Sequence, residues 1–244
     1  MTFTYEAYRN LLASLREHGY AVADYKSWKA RPRCVILRHD IDFDPEAAWK
    51  LARVEQEEGV HSTYFVLVSG DFYNPFSWRN REILRAIQAC GHAIGLHFDE
   101  TVYPETGSPE GLKRRILEEA RLLSDAAGET VEAVSMHRPS RAVLEADLEL
   151  PGLVNSYGRV FFKEFKYLSD SRHCWREPAE EIIASECFER LQILTHAFWY
   201  HGEEISLRDA VAGFVRGGNR FRYETMESNI TDLQAIMKEE DLDS

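Results

Sequence analysis

The apolar positions of the chain follow two rhythms that take turns along it. From Thr4 to His18, Tyr8, Leu11, Leu12 and Leu15 recur at the spacing of one helix face, and Gly19 ends the run. Asp24 to Arg33 is polar and contains Pro32, which predicts a loop. Cys34 to Leu37 is then apolar without a break, as strands are when a parallel sheet is covered on both faces. His39-Asp40-Ile41-Asp42 follows at once. Asp44-Pro45-Glu46 next supplies the cap, the first-turn proline and the acidic residue of a helix start. That helix is predicted to reach Glu58, with Gly59 as its stop.

The same alternation repeats. Ser62 to Val68 reads as a strand, Asp71 to Ser77 as a loop around Asn74-Pro75, and Asn80 to Cys90 as a helix closed by Gly91. Ala93 to Leu96 reads as a strand, followed by a polar loop. A helix then opens at Ser108-Pro109-Glu110, carries Leu112, Ile116, Leu117, Ala120 and Leu123, and ends before Gly128. Val131 to Met136 is the fourth strand. Beyond Pro139 the pattern loosens, with short strands expected at 153–157 and 167–169 and a firm late strand at 191–196. Helices are expected at 207–215 and 225–237. Strand–helix units in series predict a parallel sheet or barrel with right-handed crossovers. No repeat, low-complexity tract or linker interrupts it, so one domain is expected over residues 1–244.

Composition narrows the class. A chain of 244 residues is typical of one β/α barrel, and its 44% hydrophobic content is enough for a sizeable core. A net charge of −12 argues against nucleic acid held by phosphate contacts and against docking on anionic lipid. The N-terminus lacks a basic start and an apolar run, and no apolar stretch nears the roughly 18 residues of a membrane span. Cys34, Cys90, Cys174 and Cys187 form no paired motif, which predicts reduced thiols in a cytoplasmic protein.

The chemistry collects at strand ends. His39, Asp40 and Asp42 follow the first apolar strand, and His97, Asp99 and Glu100 the third. His137 and Arg138 follow the fourth, and His196 ends the late one. In a β/α barrel all carboxyl ends open on one face, so these groups are expected to converge. Asp44 is read as a helix cap, and His92 at a strand start as a hydrogen-bonding residue. His18, His61, His173 and His201 are read as ordinary. Phe198-Trp199-Tyr200 reads either as core or as a wall for stacking sugars, and Glu239 to Asp243 as a solvated tail.

Taken in order, these motifs resemble those of the polysaccharide deacetylases, carbohydrate esterase family 4. His39-Asp40-Ile41-Asp42 is similar to the acidic first motif, and Gly91-His92-Ala93-Ile94-Gly95-Leu96-His97 to the second. Arg138-Pro139 resembles the third, Asp170 with Trp175 the fourth, and Leu194-Thr195-His196 the fifth. The resemblance covers roughly residues 33–200 and is closest to the branch of surface-polysaccharide and O-antigen biosynthesis. It implies a distorted (β/α) barrel of seven parallel strands that removes an N-acyl group from an amino sugar with a divalent metal, zinc foremost. It also implies roles: Asp40 as general base, His196 as general acid, Arg138 and Asp170 as orienting groups, Asp42 and His97 as metal ligands. The family's second motif carries a further His where this chain has Thr101. His137 is the expected substitute, ahead of Asp99 or Glu100. The substrate expected is a carbohydrate or nucleotide sugar. Two competing expectations are an inactive carbohydrate-binding member of the same fold and a metal hydrolase of another bond.

Overall fold

The computed structural model describes residues 1–104 and 108–243. The chain packs as two compact units, Met1–Gly202 and Glu203–Ser244.

The first unit is built on strands β1 (Ala21–Ala23), β2 (Cys34–Ile41), β3 (Thr63–Leu67), β4 (Ala93–Asp99), β5 (Ala133–His137), β6 (Val154–Asn155), β7 (Lys166–Ser169) and β8 (Arg190–Thr195). Seven of them run in the order β6-β5-β4-β3-β2-β8-β7, all parallel. The sheet is a curled, distorted (β/α) barrel, and among the described residues β6 and β7 do not pair to close it. These seven are the strands the apolar runs predicted. The eighth, β1, lies in a stretch not expected to be a strand and pairs with the first half of β2, on the edge that β3 takes further along. Helices α1 (Tyr5–Glu17), α2 (Pro45–Glu57), α3 (Trp78–Ala89) and α4 (Pro109–Ala127) carry the predicted apolar faces, except that Leu117 on α4 is exposed. Asp44 caps α2, its Oδ1 accepting from the Glu46 amide at 2.9 Å. Short helices α5 (Arg141–Glu145), α6 (Arg159–Lys163) and α7 (Ala179–Ser185) fill the region where the pattern loosens. The polar loop expected before Ser108 is described as far as Pro104; residues 105–107 lie outside the described residues.

One difference from expectation matters for the site. The first strand was expected to stop at Leu37, but β2 continues to Ile41 and every residue in it is buried. Charged residues stay in a buried strand only when each finds a partner, and here each does. Period-two alternation sorts them. Cys34, Ile36, Arg38 and Asp40 face the inside of the curl, where Cys34 and Ile36 join Phe65, Ala133, Tyr25, Trp28, Phe161 and Phe165 in a small core. Val35, Leu37 and Ile41 belong to the larger core that includes the helices. The segment before β2, expected as a plain loop, buries Tyr25 and Trp28 in the inner core, and the Tyr25 hydroxyl donates to Gln192 Oε1 at 3.0 Å. Gly95 on β4 sits beside Phe65 on β3, where a Cβ would come within 2.5 Å of the ring. No other residue fits there without moving Phe65.

The second unit consists of α8 (Leu207–Glu227), α9 (Leu233–Ile236) and a 3-10 turn, Glu239–Asp243. Helix α8 is one continuous element where a shorter helix had been expected. The second expected helix is broken after Glu227 and resumes only for α9. The acidic tail is partly engaged, with Glu239 pairing Arg220 at 2.7 Å.

Candidate metal centre

The site lies at the carboxyl ends of β2, β4, β5 and β8, where parallel sheets of this kind collect chemistry. Asp42, just past β2, is the meeting point. Its Oδ1 is 3.2 Å from His97 Nε2 on β4 and 3.4 Å from His137 Nδ1 on β5. The two imidazole nitrogens are themselves 3.0 Å apart. Asp42, His97 and His137 thus offer three ligand atoms within 4.8 Å of one another. Burial would raise the Asp42 pKa, but the imidazoles of His137, His97 and then His196 facing it hold it well below the usual carboxylate range. The Oδ1 atom is buried and makes no hydrogen bond of good geometry. On the other side of His97, Nδ1 lies 2.6 Å from Ser135 Oγ. Donation there turns the Nε2 lone pair toward Asp42 and His137, as an outer partner does for a metal-ligating His. A carboxylate with two imidazoles, one carboxylate oxygen left without a proper donor, fits a divalent cation of the zinc type.

The other expected ligands are occupied elsewhere. Asp99 Oδ1 accepts from the Thr101 amide and hydroxyl at 2.9 and 2.7 Å. Glu100 is bonded to the amide and hydroxyl of Ser140. Thr101 itself is exposed.

Asp40 stands beside the cluster, its Oδ2 3.7 Å from His97 Nε2. Burial would raise its pKa, but Arg38, His97 and His196 together hold it below the ordinary value. Arg38 is fully buried, and its Nη2 donates to both Asp40 oxygens at 2.8 and 2.7 Å. Arg38 was not singled out from the sequence, although its spacing from Asp40 and Asp42 puts all three on one face of a strand. Arg138, expected at the site, is not brought there. It is exposed, takes a left-handed backbone with φ 50° before Pro139, and makes no hydrogen bond or ion pair with the described residues.

Across the cluster is His196. Asp170, fully buried after β7, accepts from His196 Nδ1 at 2.7 Å and from the His196 amide at 3.1 Å. His196 Nε2 then points back to Asp42 Oδ2, 3.8 Å away. Burial would lower the His196 pKa, but Asp170, then Asp42 and Asp40, push it up to about 9. Trp199 packs against the His196 ring, with centroids 6.1 Å apart, and Phe43 links Trp199, Phe198 and Phe72 in an aromatic rim.

His39 takes no part. It faces the other side of β2, where Nε2 meets Glu55 Oε1 at 3.0 Å and Nδ1 meets Thr195 Oγ1 at 2.7 Å. Glu55 of α2 is fully buried and accepts also from Tyr8, Ser62 and Tyr64 at 2.7, 2.6 and 2.8 Å. His92 is buried nearby, bonded to Ala52 O and to the Ser62 amide.

No family model matches the chain, and no curated protein does. Solved structures are similar to it. A family 4 carbohydrate esterase from Streptomyces lividans in complex with acetate is 14% identical over 81% of this chain and 89% of that one, with a TM-score of 0.47. The chitin deacetylase from the fungal pathogen Colletotrichum lindemuthianum is 15% identical over 77% and 83%, also at 0.47. A family 4 acetyl xylan esterase from Clostridium thermocellum in complex with a cobalt ion is 15% identical over 67% and 73%, at 0.43. The chain's own residues carry the resemblance to the polysaccharide deacetylase superfamily. Asp40, Asp42, His97, Asp170 and His196 stand in the order of its motifs and meet at one end of a parallel sheet.

Proposed function

We propose that the chain is a metal-dependent amide hydrolase that removes an N-acyl group, acetyl foremost, from an amino sugar. The observation that carries this reading is the Asp42–His97–His137 cluster, flanked by a buried carboxylate on one side and an Asp-held imidazole on the other. A bound divalent ion, zinc foremost, would polarise the acyl carbonyl and make water a nucleophile near neutral pH. Asp40 is placed to accept a proton from an attacking water: it is ionised, close to the cluster and fixed by Arg38. His196 gives a proton to the departing amine from Nε2, while Asp170 on Nδ1 fixes the ring and keeps the proton on it. The aromatic rim of Phe43, Phe198 and Trp199 borders the same opening and suits the apolar face of a pyranose. The resemblance to the surface-polysaccharide branch supports a biosynthetic precursor, a nucleotide sugar or a lipid-linked sugar, as the substrate. Among the described residues no helix is long and apolar enough to cross a membrane.

The test is acetate release from N-acetylglucosamine, its nucleotide-linked form and short chitooligosaccharides, with the protein stripped and then loaded with Zn²⁺, Co²⁺ or Mn²⁺. Release that needs the metal and is lost in Asp40→Asn is expected. No release from any of these substrates with any ion would overturn the reading.

A further inference from the structure

The site holds two aspartates two residues apart, Asp40 on β2 and Asp42 just past its end, and both reach the same imidazole. Asp42 Oδ1 is 3.2 Å from His97 Nε2, and Asp40 Oδ2 is 3.7 Å from it. Half an ångström does not by itself separate a ligand from a base. A carboxylate that joined the cluster would fill the position that a catalytic zinc site keeps open. Something must hold Asp40 off, and the surroundings of Arg38 do so. One guanidinium nitrogen bridges both Asp40 oxygens at 2.8 and 2.7 Å. The other donates to Ser156 Oγ at 3.1 Å. The guanidinium lies 4.9 Å from the Phe65 ring and 5.0 Å from the Tyr157 ring, so it is held by aromatic faces as well. Phe65 in turn lies close beside Gly95, where a Cβ would come within 2.5 Å of its ring. Asp40 also meets Ser135 Oγ at 3.4 Å. Among the described residues Asp42 has no such cation: its neighbours there are the imidazoles of His97, His137 and His196.

We propose that Arg38 is a positioning residue that divides the labour of the two aspartates. By engaging both oxygens of Asp40 it keeps that carboxylate out of the ligand set, and leaves Asp42 to complete the set with His97 and His137. The inference rests on the functional reading above, and it adds that the division is imposed from Arg38 and not by distance. Arg38 is thereby an orienting arginine at the site, where Arg138 had been expected to supply one.

The experiment is a Co²⁺ titration followed by visible absorption, on wild type and on Asp40→Asn, Asp42→Asn, Arg38→Met and the double variant Arg38→Met with Asp40→Asn. Asp40→Asn is expected to bind Co²⁺ within about threefold of wild type, and Asp42→Asn about a hundredfold more weakly or worse, a gap of the size that separates a bystander from a ligand. Freed from the cation, Asp40 joins the metal, so Arg38→Met is expected to bind about tenfold more tightly, with the weaker band of a higher coordination number. The double variant loses that gain, because the gain belongs to Asp40. A merely structural arginine would instead give weaker binding and a lower melting point, with no dependence on Asp40. Unchanged or weaker Co²⁺ binding by folded Arg38→Met overturns the inference and leaves the function standing. If Arg38→Met does not fold, the two single aspartate variants decide: equal losses in both overturn it. A wild type that binds no Co²⁺ overturns the functional reading itself, and this inference with it.

Discussion

Glu55→Gln is the substitution whose cost follows most directly from the structure. The Glu55 carboxylate is fully buried and takes four hydrogen bonds, Tyr8 and His39 on Oε1 and Ser62 and Tyr64 on Oε2. Glutamine turns one of those oxygens into a donor. Two donors then face it without an acceptor, whichever way the amide is turned. A bond to a charged group is worth about 1.5–3 kcal/mol, so two lost bonds remove about 3–6 kcal/mol. Rotation of the hydroxyls and relief of the buried charge recover part, leaving about 3 kcal/mol. The pKa gives a second route to the same size. Burial would raise it, but His39, His92 and Ser62 hold it down at about 2 against the ordinary 4.5. A carboxyl depressed this far contributes about 3 kcal/mol above the unfolded value, and loses it as the pH falls from there toward the folded one. Urea denaturation at pH 7 should therefore show the midpoint of Glu55→Gln lowered by about 1 M. The gap between wild type and variant should close between pH 4.5 and pH 2, because wild type alone has this contribution to lose. A midpoint shift below about 0.3 M, or a gap that stays constant to pH 2, would refute the reasoning.

Three further outcomes follow. Gly95→Ala forces a methyl against the Phe65 ring and is expected to cost about 1–3 kcal/mol in thermal or urea unfolding, with no loss refuting the close approach. Ser135→Ala removes the outer partner of His97 Nδ1 and should weaken Zn²⁺ or Co²⁺ binding about 10- to 100-fold by competition titration, while unchanged affinity would show that the serine does not orient the ring. In metal-free protein, nitrogen-detected NMR should find His196 titrating near 9, and Asp170→Asn should bring it down toward its ordinary value. A midpoint that Asp170→Asn leaves in place would remove Asp170 as the cause.

The sequence made most of the sheet legible because parallel strands buried on both faces leave apolar runs, as at β2 to β5 and β8, while β6 and β7, short and partly polar, left only a weak signal. It concealed β1, only three residues long, and the second half of β2, where the polar residues Arg38, His39 and Asp40 read as the end of a strand. What keeps those residues in the strand is partners distant in the chain, such as Ser156 for Arg38 and Thr195 for His39, and no local pattern announces them. The same limit applies to the site. His97, His137 and His196 stood out because each is a polar group placed at the end of a strand, and Asp170 only through the motif it resembles. Arg38 did not, since its function depends on which face it shares, and Ser135 lay inside an apolar run. Arg138 misled for a converse reason: its place next to Pro139 matched a motif, but the left-handed backbone there leaves the residue exposed.

The most direct measurement is an anomalous difference map at the zinc edge from crystals grown or soaked with Zn²⁺. The account predicts one peak bound by Asp42, His97 and His137 at about 2.0–2.2 Å, with Asp40 still on Arg38 and no bond to the peak. No peak there, or an ion held without His137, would contradict it.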